Sequence, residues 1–341
     1  MILKVDLPKP LDRVCWLYIR MLLTHLGFPF VFIKWIMGCI TNTPFNVMVN
    51  GTASPFFHFE RGLRQGCPLS PLLFLLIVEG LSRLIKAEAR RGRLQGIKVT
   101  EYCILTHLLF VDDVLIFLNR GIGDLTIIKN IFSLFQVAIG MMVNCSKSTL
   151  TTVGCTQHEI QFSLQRFQFT LLKLEDGLRY LWYTLKPLGY KIADWTWLIA
   201  KMEKRLNIWY YKYLSRAGRL ILIKTVLEAT PVHSMSLAWI PRGILSRIQI
   251  LCCRFLWKGN QTGRIFAWVK WDALNLPKKW GGWGIKKLEE FSSALAAKLG
   301  WQLISSNSLW TKVAVSKYIA PINVMDWIRQ PHRYSSGMSI I

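Results

Sequence analysis

The sequence predicts an α+β fold: an antiparallel sheet with packed helices, followed by helices alone. Three observations carry this. Short apolar runs carrying acids, Ile2–Leu7 and the two flanks of Asp112-Asp113 within Leu108–Phe117, have the length and composition of strands. Two stretches, one after Ser70 and one from Leu125 to Ile139, repeat apolar residues at helical spacing. Leu198, Met202, Leu206 and Trp209 add a further apolar stripe at helical spacing later in the chain.

The first element is the strand Ile2-Leu3-Lys4-Val5-Asp6-Leu7, with one acid near its end. Helices are expected from about Val14 to Leu26 and from Phe30 to Ile40. Val47–Gly51 and Phe56–Phe59 read as strands paired around a turn. The run Arg61-Gly62-Leu63-Arg64-Gln65-Gly66-Cys67-Pro68-Leu69-Ser70-Pro71 is a loop entering a helix, with Ser70 as N-cap and Pro71 as first helical residue. That helix is expected to bury Leu73, Leu76, Ile77, Leu81 and Leu84 and to end among Lys86, Arg90, Arg91 and Arg93. Its N-terminus and glycine-bearing loop suit a triphosphate or a template base.

Asp112 and Asp113 lie inside the oily run Leu108–Phe117, which holds no Lys or Arg. Adjacent carboxylates repel, and taking them out of water is costly without a cation or hydrogen-bond donors. Apolar flanks on both sides make a hairpin with the acids at its turn. An acidic β-turn is the plain alternative. A divalent metal explains the pair better once Asp6 supplies a third oxygen ligand from a neighbouring strand. Mg²⁺ takes few protein carboxylates and lets substrate phosphates fill the rest, which points to phosphoryl transfer.

The helix over 125–139 is expected to pack beneath the sheet and stop at Gly140. Leu198, Met202, Leu206 and Trp209 form the apolar stripe of a later helix whose other face carries Lys201, Lys204 and Arg205. Beyond Gly259 the chain becomes tryptophan-rich, with Trp268, Trp271, Trp280, Trp283, Trp301 and Trp310 interspersed with lysines. Base stacking in a basic groove is one use for them. Core packing is the expected one, because Leu288, Phe291, Leu295 and Leu299 recur at helical spacing.

The order Lys4-Val5-Asp6, then Arg64-Gln65-Gly66-Cys67-Pro68-Leu69-Ser70-Pro71, then Phe110-Val111-Asp112-Asp113 resembles the reverse transcriptases of LINE-type (non-LTR) retrotransposons. The likeness continues through Val143–Ser148, Tyr180-Leu181 and Leu214–Lys224, the last resembling the thumb of plant-type elements, and so covers nearly the whole chain. It implies a reverse-transcriptase palm with residual fingers over 1–190, a helical thumb over 191–259 and a basic, Trp-rich helical connector over 260–341. Residue 1 falls almost on the first catalytic strand, so the resemblance predicts an N-terminally truncated element without the preceding fingers segments or an endonuclease.

By the resemblance, Asp6, Asp112 and Asp113 are the catalytic metal ligands, with the Leu7 carbonyl as an extra oxygen, for two Mg²⁺ ions or Mn²⁺ in their place. Arg64, Gln65 and Gly66 border nucleotide and template. Lys147 stands near the incoming triphosphate as proton donor to pyrophosphate; a solvated loop lysine is the alternative. Tyr180 and Leu181 belong to the primer grip, and Lys201, Lys204, Arg205, Arg216 and Arg219 to the duplex-binding face. Three positions depart from the family. Leu11 replaces the aromatic that screens sugars, Pro10 removes a backbone donor beside the site, and Trp182 stands where glycine allows close approach.

The implied reaction is RNA-directed DNA synthesis from dNTPs on an RNA template and a DNA primer. A degenerate nucleic-acid-binding relic of the domain is the alternative, and an intron-maturase or telomerase-like protein a more distant one. A partner supplying the fingers is left open. Composition agrees with a polyanionic partner: 43 Lys+Arg against 19 Asp+Glu give a formal net charge of +24. Although 52% of the 341 residues are hydrophobic, no run reaches the ~18–20 apolar residues a spanning helix needs. The start lacks the shape of a secretory signal, and an intracellular protein, nuclear or cytoplasmic, is expected. Eight cysteines without C-x-x-C spacing predict free thiols rather than zinc.

Overall fold

The computed structural model describes residues 1–319, apart from 10, 102, 120–121, 182, 188, 211–213 and 260–265, together with 326. The chain divides into two compact units, Met1–Thr184 and Leu185–Ile341. The segments expected as 191–259 and 260–341 share the second.

The first unit opens with strand β1 (Ile2–Asp6), followed by helices α1 (Trp16–His25) and α2 (Phe30–Thr41). A small hairpin, β2 (Met48–Val49) and β3 (Thr52–Ala53), leads to the long helix α3 (Leu69–Arg90). Next come the hairpin β4 (Ile97–Thr100) and β5 (Cys103–Leu105) and then β6 (His107–Phe110) and β7 (Asp113–Phe117). Helix α4 (Ile122–Ile139), β8 (Thr149–Thr152), α5 (Gln157–Phe167) and β9 (Thr170–Lys173) complete the layer, and the hairpin β10 (Leu178–Tyr180) and β11 (Tyr183–Leu185) follows.

Five strands form the main sheet in the order β6-β7-β1-β8-β9. All its pairs are antiparallel except β8 with β9, which is parallel. Alternation along β1 sends Leu3 and Val5 into a core with Val114 and Ile116 of β7 and with Ile19, Ile77, Leu81, Ile128 and Phe135 from the helices. Lys4 and Asp6 therefore emerge on the opposite face. The core face fixes the register, because a slip of one residue would bury Lys4 and Asp6 among the helices.

Several expectations are corrected. The Asn50-Gly51 pair, with φ of 50° and 83°, closes β2 on β3, so Val47–Asn50 does not pair with Phe56–Phe59 as a ladder; only a Phe45–Phe57 bridge reaches that far. Ser70 is not the N-cap of α3. The helix starts at Leu69, and the buried Ser70 hydroxyl donates to the Arg64 carbonyl at 2.7 Å, tying helix to loop. The buried stripe of α3 includes Phe74, Val78 and Ile85, while Leu84 faces outward.

The second unit holds α6 (Thr196–Tyr210), α7 (Arg216–Leu222), α8 (Val232–Met235), α9 (Arg242–Trp257), α10 (Trp271–Asn275), α11 (Leu288–Ser305) and α12 (Leu309–Ala314). Leu198, Met202 and Leu206 are buried as expected, and Trp209 packs on Phe255 of α9. The tryptophans differ from expectation: Trp268, Trp280 and Trp301 are about two-thirds exposed. The α11 stripe of Leu288, Phe291, Leu295 and Leu299 is only half-buried, and Trp268 and Trp280 instead meet the cations Arg216 and Lys279 at 4.6 and 4.8 Å. Among the described residues no helix is long and apolar enough to cross a membrane.

Candidate active site

The acid pair lies where its flanking strands meet. Val111 and Asp112 form the two-residue turn between β6 and β7, and Asp113 is the first residue of β7. Val111 takes φ of 54°, a conformation unfavourable for a β-branched side chain. Asp113 is the direct cross-strand partner of Asp6. Side chains so placed share one face with Cβ atoms about 4.5–5.5 Å apart, so two carboxylates face each other on the side away from the helices. Both are half-buried, whereas Asp112 is exposed at the tip.

One cation answers this pair. Lys4, two residues before Asp6 and on the same face, places Nζ 3.6 Å from Asp113 Oδ1 and donates to the Arg179 carbonyl at 2.9 Å. The next residue of that hairpin, Tyr180, also borders the site: burial, and then the charge of Asp113, push its phenol above the ordinary range. Leu181 takes φ of 48° at the turn. Of the expected primer-grip residues, Tyr180 thus stands beside Asp113, with Leu181 next to it in the chain. Trp182 and Pro10 lie outside the described residues.

The loop after α4 holds β1 in place from its other edge. Asn144 donates its backbone N–H to the Asp6 carbonyl at 3.0 Å, and Asp6 donates its own to Ser148 Oγ at 3.0 Å. The Asn144 side chain accepts from Ser146 Oγ and the Lys147 N–H, an Asx-type turn that leaves Lys147 exposed at the edge of the site. Lys4, Asn144 and Ser148 had not been assigned roles from sequence.

On the flank, Gly62 donates to the Val14 carbonyl at 2.7 Å, Leu63 to that of Leu11 at 2.7 Å, and Trp16 Nε1 to that of Gly62 at 2.6 Å. Gln65 Nε2 donates to Asp12 Oδ1 at 2.8 Å, Gly66 turns with φ of 81°, and exposed Arg64 lies over the Phe45 ring at 5.8 Å. Leu11 is half-buried and packs against the core. Leu7, the expected carbonyl ligand, is 3% exposed.

In the second unit, several of the expected duplex-binding cations have intramolecular partners. Arg205 donates to Thr230 Oγ1 at 2.7 Å and Arg219 to the Leu256 carbonyl at 3.4 Å. Arg216 lies over the Trp268 and Trp257 rings at 4.6 and 6.0 Å, and Lys201 over Trp197 at 5.9 Å. Lys201, Lys204 and Arg216 remain exposed; Arg205 and Arg219 are half-buried.

The donor set fits a hard divalent cation. Two facing, half-buried carboxylates with one ammonium between them and a backbone need positive charge, and Mg²⁺ commonly takes one or two carboxylates and leaves its other positions to water and phosphate. Among the described residues, however, no group of three or more Asp, Glu, His or Cys side chains converges closely enough to hold an ion by itself. The acids supply part of a coordination shell, with substrate oxygens required for the remainder.

Comparison with known proteins agrees with this arrangement. Residues 1–185 match the family model described as reverse transcriptase (RNA-dependent DNA polymerase). A protein described as a putative ribonuclease H protein of Arabidopsis thaliana is 38% identical over 141 residues, covering 41% of this chain and 23% of the relative. A retrovirus-related Pol polyprotein from a type-2 retrotransposable element of Drosophila melanogaster is 24% identical over 323 residues, covering 90% and 29%. A transposon-encoded uncharacterized 149 kDa protein of Xenopus laevis is 25% identical over 287 residues, covering 83% and 21%. The chain spans less than a third of the length of each of these relatives. With the match over residues 1–185 added to the facing aspartates and the hairpin beside them, the chain belongs to the reverse transcriptase (RNA-dependent DNA polymerase) family, and is of the non-LTR retrotransposon kind.

Proposed function

We propose that this chain is the polymerising part of a retrotransposon protein, an RNA-directed DNA polymerase that extends a DNA primer along an RNA template with dNTPs. The observation that carries the reading is the register of β1 on β7, which sets Asp6 opposite Asp113 on the face of the sheet turned away from Leu3 and Val5 and their core. Asp6 and Asp113, with Asp112 at the tip and the Leu7 carbonyl, would hold Mg²⁺ or Mn²⁺. Two such ions, when bound, activate the primer hydroxyl and stabilise the departing pyrophosphate.

The chain's own groups account for the rest of the chemistry as positioning. Tyr180 and Leu181 border the acids where a primer end must lie. The Arg64-Gln65-Gly66 loop, fastened to Asp12, faces the nucleotide and template. Lys147 sits exposed at the loop anchored on Asp6, where an ammonium meets triphosphate charge and can release a proton to the leaving group. Lys201, Lys204 and Arg216 are exposed cations of the second unit, suited to phosphate contacts without sequence preference.

Primer extension on an RNA template by the full chain tests the reading. Asp113→Asn and Asp6→Asn are expected to lower incorporation at least a hundredfold, and activity equal to the parent in both removes the assignment. A second reading, a nucleic-acid-binding relic, is favoured by the ion pair between Lys4 and Asp113 and by the lack of a closed three-carboxylate group among the described residues. Salt-sensitive RNA retention with no dNTP incorporation selects it.

A further inference from the structure

We infer that Lys4 is a positioning residue, a strut that fastens the β10–β11 hairpin to the carboxylate edge of the sheet and thereby sets where the primer end lies. It stands two positions before Asp6 on the face that β1 turns away from the helices, and its side chain is only 20% exposed. An ammonium so far removed from water needs partners, and it has two, drawn from different elements. Asp113 lies 3.6 Å away on β7 and the Arg179 carbonyl 2.9 Å away on β10.

The hairpin forms its own two-stranded sheet, separate from the main one, and Lys4 is a side chain that reaches it from β1. A backbone carbonyl as acceptor fixes β10 at one residue, adjacent to Tyr180, whose phenol responds to the charge of Asp113. Leu115, two residues beyond Asp113 on the same face, is 2% exposed, so the sheet is covered at this point. The Lys4 side chain therefore couples the acid to the hairpin, and an uncharged residue at position 4 would remove both contacts at once.

The consequence for synthesis rests on the polymerase reading; the strut itself does not, and two measurements on the full chain separate them. Hydrogen exchange of the amides of Leu178–Leu185 in metal-free buffer reads the strut alone. In Lys4→Met these amides are expected to exchange about tenfold faster, the loss of one charge-assisted hydrogen bond, while those of β1 and β7 keep their protection. Unchanged exchange overturns the inference. Should Lys4→Met fail to fold, Asp113→Asn decides in its place: hairpin exchange is expected to rise about threefold, and no rise overturns the strut.

Steady-state kinetics read its use. Lys4→Met is expected to raise KM for primer–template about tenfold with KM for dNTP within about twofold, and Lys4→Arg, which restores a donor and a charge, to bring the primer term back to within about threefold. Equal rises in both constants, or a Lys4→Arg variant as impaired as Lys4→Met, overturn the positioning role. A parent chain with no activity removes the polymerase reading and leaves the exchange result standing by itself.

Discussion

Gln65 and Asp12 are joined by a 2.8 Å hydrogen bond from Nε2 to Oδ1 across 53 positions of chain, between the loop that precedes α3 and the segment that follows β1. Both side chains are exposed, so the bond orients the amide more than it stabilises the fold. Asp12→Ala is expected to lower kcat/KM for nucleotide incorporation about five- to tenfold, in line with the loss of a hydrogen bond to a charged acceptor. Unfolding free energy should move by less than about 0.5 kcal/mol. Asp12→Asn, which retains an oxygen acceptor, should stay within about threefold. Steady-state incorporation assays and urea titration check the set.

Gly62 has φ of 94°, and a Cβ there would meet the Asp12 carbonyl oxygen at 2.6 Å, a backbone atom that cannot swing aside. Gly66 has φ of 81° but open space around it. Gly62→Ala should therefore cost about 2–3 kcal/mol and Gly66→Ala only about 1 kcal/mol. Urea unfolding of the two variants distinguishes steric conflict from simple dihedral strain.

His107 is held between Ser82 Oγ on Nε2 and Thr106 Oγ1 on Nδ1, at 3.0 and 2.9 Å. Burial, and then Lys86, push its imidazole down to about 4 from an ordinary 6.5. Because the unfolded chain takes up the proton more readily, this residue's contribution is complete above about pH 6.5 and is lost as the pH falls toward 4. His107→Gln should flatten that part of the profile, read as urea midpoints between pH 4 and 7.

Glu228 is 4% exposed in the second unit and accepts the Lys286 N–H at 2.9 Å. Burial raises its carboxyl above the ordinary 4.5, so the folded form holds its proton more tightly than the unfolded one, and stability falls as the pH rises through that interval. At pH 7 Glu228→Gln, which keeps an acceptor without the charge, should raise the unfolding midpoint. Glu228→Ala should lower stability by about 1–2 kcal/mol by stranding the amide. Thermal unfolding at pH 7 separates the two outcomes.

How much of this was legible before the fold was known depended on whether a signal was periodic. The strands around Asp6 and Asp112–Asp113, and the helices α3 and α4, show in the alternation of apolar residues because burial imposes those periods. That Asp6 falls directly opposite Asp113 does not show, since register arises from contact between segments more than a hundred residues apart. Lys4 was passed over because a lysine two positions before an acid looks the same whether solvated or bridging. The Asn50-Gly51 turn was readable from its residue types and was missed. Arg205, Arg216 and Arg219 look in sequence like free cations, and only packing reveals Thr230, Trp268 and Leu256 as their partners. The exposure of Trp268, Trp280 and Trp301 was hidden for a similar reason: composition favours burial, and only packing shows these rings at the surface, two of them against Arg216 and Lys279.

The contact between Lys4 and Asp113 bears on how the protein comes into being. Domains nucleated by zinc stay unfolded until the ion arrives, because their ligands repel or remain solvated without it. Here the carboxylate edge carries one compensating ammonium within the same sheet, so the chain is expected to reach its native arrangement in a chelating medium, which circular dichroism of protein refolded with and without EDTA checks.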